Sequence, residues 1–486
     1  MSSIRHEMIH GVFWSAVEKY SGLAVGIIIS MILARILSPR EYGVVAIATV
    51  IIHFLQMFCT MGIGPAVIQR KDLTDKDVNS IFTFSVSIGL LLSMLFFFSS
   101  WLIADFYNNE QLVPVCQILS IQLFFAAANM VPNALMSKNL KFKAIARRTL
   151  TLQVISGSLA VIAALNGAGV YALLIAPVIS SIGVFLWNRM YYKVNIDRRF
   201  SMEPIKRIFG FSSYEFLFEF INYFSRNLDK LIIGKFMTVE ALGIYEKSYR
   251  LMQMPMNNVT SVINPVLLPV LKDLQDDKAD LSRKYSKIVR FVSTISFPIG
   301  VILAGMGNEV IHFFYGGKWD AAIPVFSILA LSLPLQMIQS TTGAIFMICN
   351  DTRMQFWLGL RNTVTTVGGF LVAAIFFKTI EAMAWAWTIT LFINFVFTYY
   401  LMYRYVLRTS ILPMLSELVL PAITAVAAGA LLYVLKLSGI TGGLFSSILI
   451  KGISSVLLVL VITQLSGRYD IIGTVKSKIT AIKNKK

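Results

Sequence analysis

What this sequence most lacks is charge. Of its 486 residues only 14% are Asp, Glu, Lys or Arg, while 56% are hydrophobic and the mean hydropathy is +0.71. A soluble domain carries about 25% charged residues, so the water-soluble globular class is excluded and an all-α integral membrane protein is indicated. Cysteine is nearly absent. Cys59, Cys116 and Cys349 stand singly in or beside apolar runs, without a disulfide framework or CxxC metal spacing. No GxxxxGK[ST] loop occurs, so no nucleotide-driven cycle is indicated. Of the four histidines, His6 and His10 complete an HExxH pattern with Glu7. That is the zinc-protease spacing, yet only His53 and His312 remain to supply a third ligand, so no metal and no cofactor is expected. The start of the chain lacks a short apolar core followed by a small-residue cleavage site, so the first apolar run is expected to stay as a helix. Acidic residues are scarce too, 25 against 43 Lys and Arg, for a net charge of +18. The cations sit in short loops between apolar runs, which fits the positive-inside rule and not a nucleic-acid partner.

A spanning helix needs about 20 mostly apolar residues, and fourteen stretches qualify. Six lie at roughly 12–34, 42–64, 79–103, 112–136, 147–166 and 169–190. Six more lie at roughly 208–234, 242–268, 287–305, 321–348, 354–377 and 382–402, and an extra pair at roughly 414–435 and 444–465. This gives a first lobe over 1–200, a second over 201–408, the extra pair over 409–466 and a basic cytoplasmic tail over 467–486. Alternate loops carry nearly all the cations, among them Arg70, Lys71, Lys138, Lys141, Arg147, Arg148, Arg189, Lys193, Lys284, Arg404 and Arg408. The opposite loops hold few, such as Arg35, Arg40, Lys235 and Lys378. Both termini are therefore expected to be cytoplasmic.

The two lobes read as copies. Leu33-Ala34-Arg35-Ile36-Leu37-Ser38-Pro39-Arg40-Glu41-Tyr42-Gly43 is a polar hinge between the first two spans. It returns as Ile233-Gly234-Lys235-Phe236-Met237-Thr238-Val239-Glu240-Ala241-Leu242-Gly243 between the seventh and eighth. Lys71-Asp72-Leu73 is matched by Lys272-Asp273-Leu274, Pro114 by Pro324, and Asn139 by Asn350. Six spans is an even number, so the copies form a parallel repeat, the kind that places substrate between two lobes. Both hinges fall on the outer face.

Candidate functional residues concentrate on the seventh and eighth spans. Glu215, Glu219, Asn222, Arg226 and Asp229 share one stripe of roughly 80°. Glu246, Arg250, Gln253, Asn257, Ser261 and Asn264 share another. A charge facing lipid costs about 2.5–3.5 kcal/mol at the bilayer centre, so these stripes face protein or water. Arg226 and Arg250 suit an anionic group because a guanidinium grips phosphate bidentately. Asn222, Gln253 and Asn257 offer donors and acceptors to hydroxyls. The plainer alternative is self-pairing of Arg226 with Asp229 and of Arg250 with Glu246 at helical spacing. Glu18, Glu215, Glu219 and Asp229 are candidates for coupling to H+ or Na+. Arg290 and Arg361 are read as snorkelling to the headgroups, and Trp385 and Trp387 as interfacial belt residues.

The first hinge, together with Arg226-Asn227-Leu228-Asp229-Lys230-Leu231-Ile232-Ile233-Gly234-Lys235-Phe236, resembles bacterial polysaccharide transporters. These are the Wzx-like oligosaccharide flippases of the multidrug/oligosaccharidyl-lipid/polysaccharide exporter superfamily. The resemblance implies a V-shaped pair of six-helix lobes in the bacterial cytoplasmic membrane. It also implies movement of an undecaprenyl-diphosphate-linked oligosaccharide from the inner to the outer leaflet, for O-antigen, capsule or exopolysaccharide synthesis. Membrane lipids and polysaccharide assembly proteins are the implied partners. A multidrug cation antiporter of the same superfamily is the alternative, though paired arginines and fourteen spans argue against it. A polysaccharide polymerase or ligase would need an outward catalytic loop, and the outer loops are short.

Overall fold

Membrane-length helices follow where hydropathy demands them, because a chain in lipid satisfies its backbone groups most simply within each helix. The computed structural model describes residues 2–60, 63–197, 201–205, 223, 226–439 and 442–467, with residues 2–9 and 60 as backbone alone. No strand occurs among the described residues. In chain order the first helices are α1 (Ser2–Ile36), α2 (Pro39–Thr60), α3 (Ile63–Gln69), α4 (Asp75–Tyr107), α5 (Leu112–Ala128) and α6 (Met130–Lys138). Then come α7 (Phe142–Leu165), α8 (Ala172–Tyr191), α9 (226–236) and α10 (Val239–Leu271). The remainder are α11 (Lys278–Gly305), α12 (Gly307–Phe314), α13 (Ala322–Ala330), α14 (Leu333–Gln339), α15 (Thr342–Ile348), α16 (Thr352–Val372), α17 (Ile380–Leu401), α18 (Leu412–Leu437) and α19 (Leu444–Leu465).

Eleven helices among the described residues are long and apolar enough to cross a membrane, and a bent pair, Ala322–Ala330 with Leu333–Ile348, makes up to twelve. These twelve correspond one to one with twelve of the fourteen expected spans. Most of the seventh span lies outside the described residues. The eighth is α10, whose 33 residues would reach about 50 Å but which is too polar to count among the eleven. The protein is a multi-pass, all-α membrane protein.

The chain divides into two compact units, Met1–Gly243 and Ile244–Lys486. In the first, the most extensive packing joins α4 to α5, α1 to α7 and α7 to α8. Thr74 starts α4 with a full capping box. Its N–H and Oγ–H donate to Asp77 Oδ2 at 2.9 and 2.8 Å, and its Oγ1 accepts the Asp77 N–H at 3.3 Å. In the second unit, α11 packs along α18, and a buried hydroxyl cluster joins Tyr285 to Thr341 at 2.9 Å and to Tyr399 at 2.8 Å.

Backbone conformation carries the repeat and shifts its register by one residue. Leu140 (φ 53°) and Asn350 (φ 55°) are both left-handed. After each, an N–H reaches back five residues, Lys141 to Met136 O at 3.0 Å and Asp351 to Phe346 O at 2.9 Å. Asn350 is thus equivalent to Leu140 and not to Asn139. Sequence identity had favoured the asparagine pair, but backbone hydrogen bonding decides where a helix ends.

Two cations belong elsewhere than their sequence neighbourhood suggested. Arg148, grouped above with loop cations, is 5% exposed inside the first unit. Arg290 does not snorkel, since its guanidinium pairs with Glu417 at 3.4 Å and ties α11 to α18. Trp387 is also no belt residue. Its indole stacks on Phe370 at 6.0 Å and meets Tyr249 edge-on at 5.7 Å.

Candidate functional site

The two hinges are built as helix N-caps. The Ser38 N–H and Oγ–H both donate to Glu41 Oε2, at 2.7 and 2.8 Å. Thr238 Oγ1 accepts the Ala241 N–H at 3.1 Å. The first hinge thus shows the carboxylate half of a capping box, and the second, with alanine in place of the glutamate, shows the hydroxyl half. Both turns lie in the first compact unit, and they touch. A Cβ on Gly43 would stand 1.8 Å from the Val239 carbonyl oxygen, and one on Gly243 would stand 1.9 Å from the Pro39 carbonyl oxygen. The contact is reciprocal, each glycine meeting the cap-adjacent carbonyl of the other repeat. Only glycine lets two backbones approach this closely. Beside the seam, Lys235 Nζ donates to Phe106 O at 2.6 Å and lies 4.1 Å from that ring's centroid.

From the second hinge α10 carries the polar stripe. Arg250, Asn257 and Ser261 are exposed, and Glu246, Gln253 and Asn264 are half-buried. Pro255, Pro265 and Pro269 lie inside this helix, a pattern tolerated in membranes where neighbouring groups satisfy the freed carbonyls. Among the described residues the Arg250, Gln253 and Asn257 side chains make no hydrogen bond or ion pair, so the expected Arg250–Glu246 pair is not formed. An exposed guanidinium on a membrane-length helix requires water beside it. Lys247, which the sequence reading passed over, is 3% exposed, with its amine 5.0 Å from the Tyr315 ring centroid.

On α9, Arg226 is exposed and Asp229 is 1% exposed. The Asp229 carboxylate accepts the Lys230 N–H at 2.8 Å. No Arg226–Asp229 ion pair is formed. Tyr223 donates to Val50 O and packs against Phe54 at 5.9 Å, which sets this tyrosine against α2. Glu215, Glu219 and Asn222 lie outside the described residues. Arg226 belongs to the first compact unit and Arg250 to the second.

A second polar cluster lies within the first unit. Glu18 on α1 accepts from Thr149 Oγ1 on α7 at 2.9 Å. One turn on, Gln153 Nε2 donates to Gly22 O at 2.8 Å. Next to Thr149, Arg148 donates to Asn133 Oδ1 at 3.1 Å and to Asn188 Oδ1 at 2.5 Å, and Asn188 Nδ2 donates to Asn129 Oδ1 at 2.8 Å. Two amides thus hold one guanidinium and a third holds one of them, with the Glu18 carboxylate in electrostatic range. Asn129 and Asn133 stand one helical turn apart, but Asn188 lies 55 residues beyond Asn133, which no helical spacing joins.

In the second unit, Lys451 on α19 donates to Glu309 on α12, and Ser447 Oγ donates to the same carboxylate oxygen at 2.8 Å. The lysine and glutamate side chains are 7% and 8% exposed, so this pair fastens the extra helices to their lobe. His10, half of the HExxH pattern, accepts from Trp14 Nε1 at 2.9 Å.

Known proteins resemble this chain over most of its length. The chain is 24% identical to the teichuronic acid biosynthesis protein TuaB of Bacillus subtilis over 440 residues, covering 90% of this chain and 91% of the relative. It is 24% identical to the lipopolysaccharide biosynthesis protein WzxC of Escherichia coli, covering 86% and 85%. It is also 24% identical to the succinoglycan biosynthesis transport protein ExoT of Rhizobium meliloti, covering 77% and 76%. Among solved structures, the lipid II flippase MurJ in an inward closed conformation shares the fold. Its TM-score is 0.75 at 16% identity, over 95% of this chain and 100% of that one. An inward-facing multidrug resistance transporter of the MATE family shares it at TM-score 0.60 and 14% identity, over 77% and 92%. The family model described as "Polysaccharide biosynthesis protein" matches residues 32–324, more than half of the sequence, so the chain belongs to the polysaccharide biosynthesis protein family.

Proposed function

We propose that this protein is a flippase for undecaprenyl-diphosphate-linked oligosaccharide, moving it from the cytoplasmic to the outer leaflet by alternating access. It is a transporter and not an enzyme, and its product feeds O-antigen, capsule or exopolysaccharide synthesis. The observation that carries this reading is the exposed polar face of α10, with Arg250 and Asn257 on a membrane-length helix of a polysaccharide-biosynthesis family member. Arg226 and Arg250 take the diphosphate, and Asn222, Gln253 and Asn257 take sugar hydroxyls. Glu18, Glu215, Glu219 and Asp229 are the groups through which H+ or Na+ drives the cycle. The protein resides in the bacterial cytoplasmic membrane with both termini cytoplasmic, as the loop charges favour. The polyprenyl tail stays among membrane lipids while the headgroup crosses beside polar side chains.

The test is reconstitution in liposomes with a defined diphosphate-linked glycan, measuring headgroup translocation with and without imposed ion gradients. Translocation by the wild type and its loss in Arg226→Ala and Arg250→Ala support the assignment. Normal translocation by both variants removes the arginines from the site.

A further inference from the structure

Beside the seam of the two hinges is a recess of about 520 Å³, within the size range of small-ligand sites. It lies wholly in the first compact unit, where the turn joining α4 to α5 meets the starts of α2 and α10. The turn is held by its own hydrogen bonds. Asn108 is left-handed at φ 51°, the Asn109 N–H reaches Ala104 O at 2.9 Å, and the Gln111 N–H reaches Asn109 Oδ1 at 3.0 Å. That last bond occupies the Asn109 carbonyl and leaves its amino group as a donor.

Of the other polar walls, Thr238 caps α10 and the rest are uncommitted among the described residues. Arg40, Asn108, Glu110, Gln111 and Glu240 line it, and their side chains make no hydrogen bond or ion pair among the described residues. Their charge selects the ligand class. Two carboxylates against one guanidinium repel a diphosphate, and the guanidinium opposes a metal cation. Three primary amides with both donors and acceptors, flanked by acceptor carboxylates, suit a neutral polyhydroxylated ligand. We propose that this recess binds the sugars of the lipid-linked oligosaccharide on the outer side, a role that rests on the flippase reading. The glycan then has an amide-rich hold at the hinges in addition to Asn222, Gln253 and Asn257, and the recess takes no part in holding the diphosphate.

The test compares wild type with the double variant Asn108→Gly, Gln111→Ala. Glycine keeps the left-handed turn while removing the amide. Proteoliposomes receive undecaprenyl diphosphate bearing either one sugar or a complete oligosaccharide repeat unit. Loss of two neutral hydrogen bonds predicts about a tenfold lower initial rate for the repeat-unit lipid, with the single-sugar lipid unchanged. Equal loss for both lipids, or no loss for either, overturns the proposal. If the wild type moves neither lipid, the flippase reading fails, and the recess is then judged by binding alone. Saturation-transfer NMR with the released repeat-unit oligosaccharide should show contact with the detergent-solubilised wild type and none with the double variant. Equal signals from the two proteins overturn the recess independently of transport.

Discussion

Gly43→Ala probes the seam between the two hinges most directly. The added methyl would stand 1.8 Å from the Val239 carbonyl oxygen, 2.7 Å from its carbon and 2.9 Å from Val239 Cγ1. To restore ordinary contact, one turn has to withdraw by more than an ångström. The obstacle is backbone, fixed by the caps at Ser38 and Thr238, so it cannot rotate aside as a side chain could. Overpacking of this kind costs about 1–3 kcal/mol, and a backbone obstacle places Gly43→Ala near the top of that range. Gly243→Ala meets the Pro39 oxygen at 1.9 Å and the Gly43 nitrogen at 2.9 Å, so its cost should match. The double variant should cost clearly less than the sum, because one withdrawal relieves both clashes. Unfolding can be followed with a thiol-reactive dye, since Cys59 and Cys116 are buried and Cys349 is half-buried. Alanine variants that unfold with the wild type, or a double variant that is fully additive, would refute the reciprocal contact.

Other consequences are equally open to measurement. Lys451→Met should destabilise the detergent-solubilised protein by about 3–5 kcal/mol by stranding the Glu309 carboxylate, and adding Glu309→Leu should recover most of the loss. Arg148→Met should cost about 3 kcal/mol, since it leaves the Asn133 and Asn188 carbonyls without their donor. Thr74→Ala should lower stability by about 1 kcal/mol through loss of the α4 cap. Under the flippase reading, Glu18→Gln should fold normally yet lose any acceleration of headgroup translocation by an imposed proton gradient. Retained acceleration takes Glu18 out of the coupling role.

The sequence by itself determined the solvent, most of the spans and the repeat. Hydropathy did so because a bilayer core accepts only long apolar helices, and the repeat showed in the matched polar turns around Ser38 and Thr238. It also marked the polar stripe of α10, whose residues share a face by helical spacing alone. The placement of cations depended on partners distant in the chain. Arg148 looked like a loop residue until Asn188, 40 positions on, enclosed it. Glu309 and Lys451 drew no notice until packing joined them across 142 positions. The glycines of the two hinges were visible as a repeated letter, but their contact was not, because nothing local distinguishes a glycine that permits a turn from one that another backbone presses against. Local hydrogen bonding and hydropathy are written in short spacings, whereas charge compensation and backbone approach are settled only when remote segments meet.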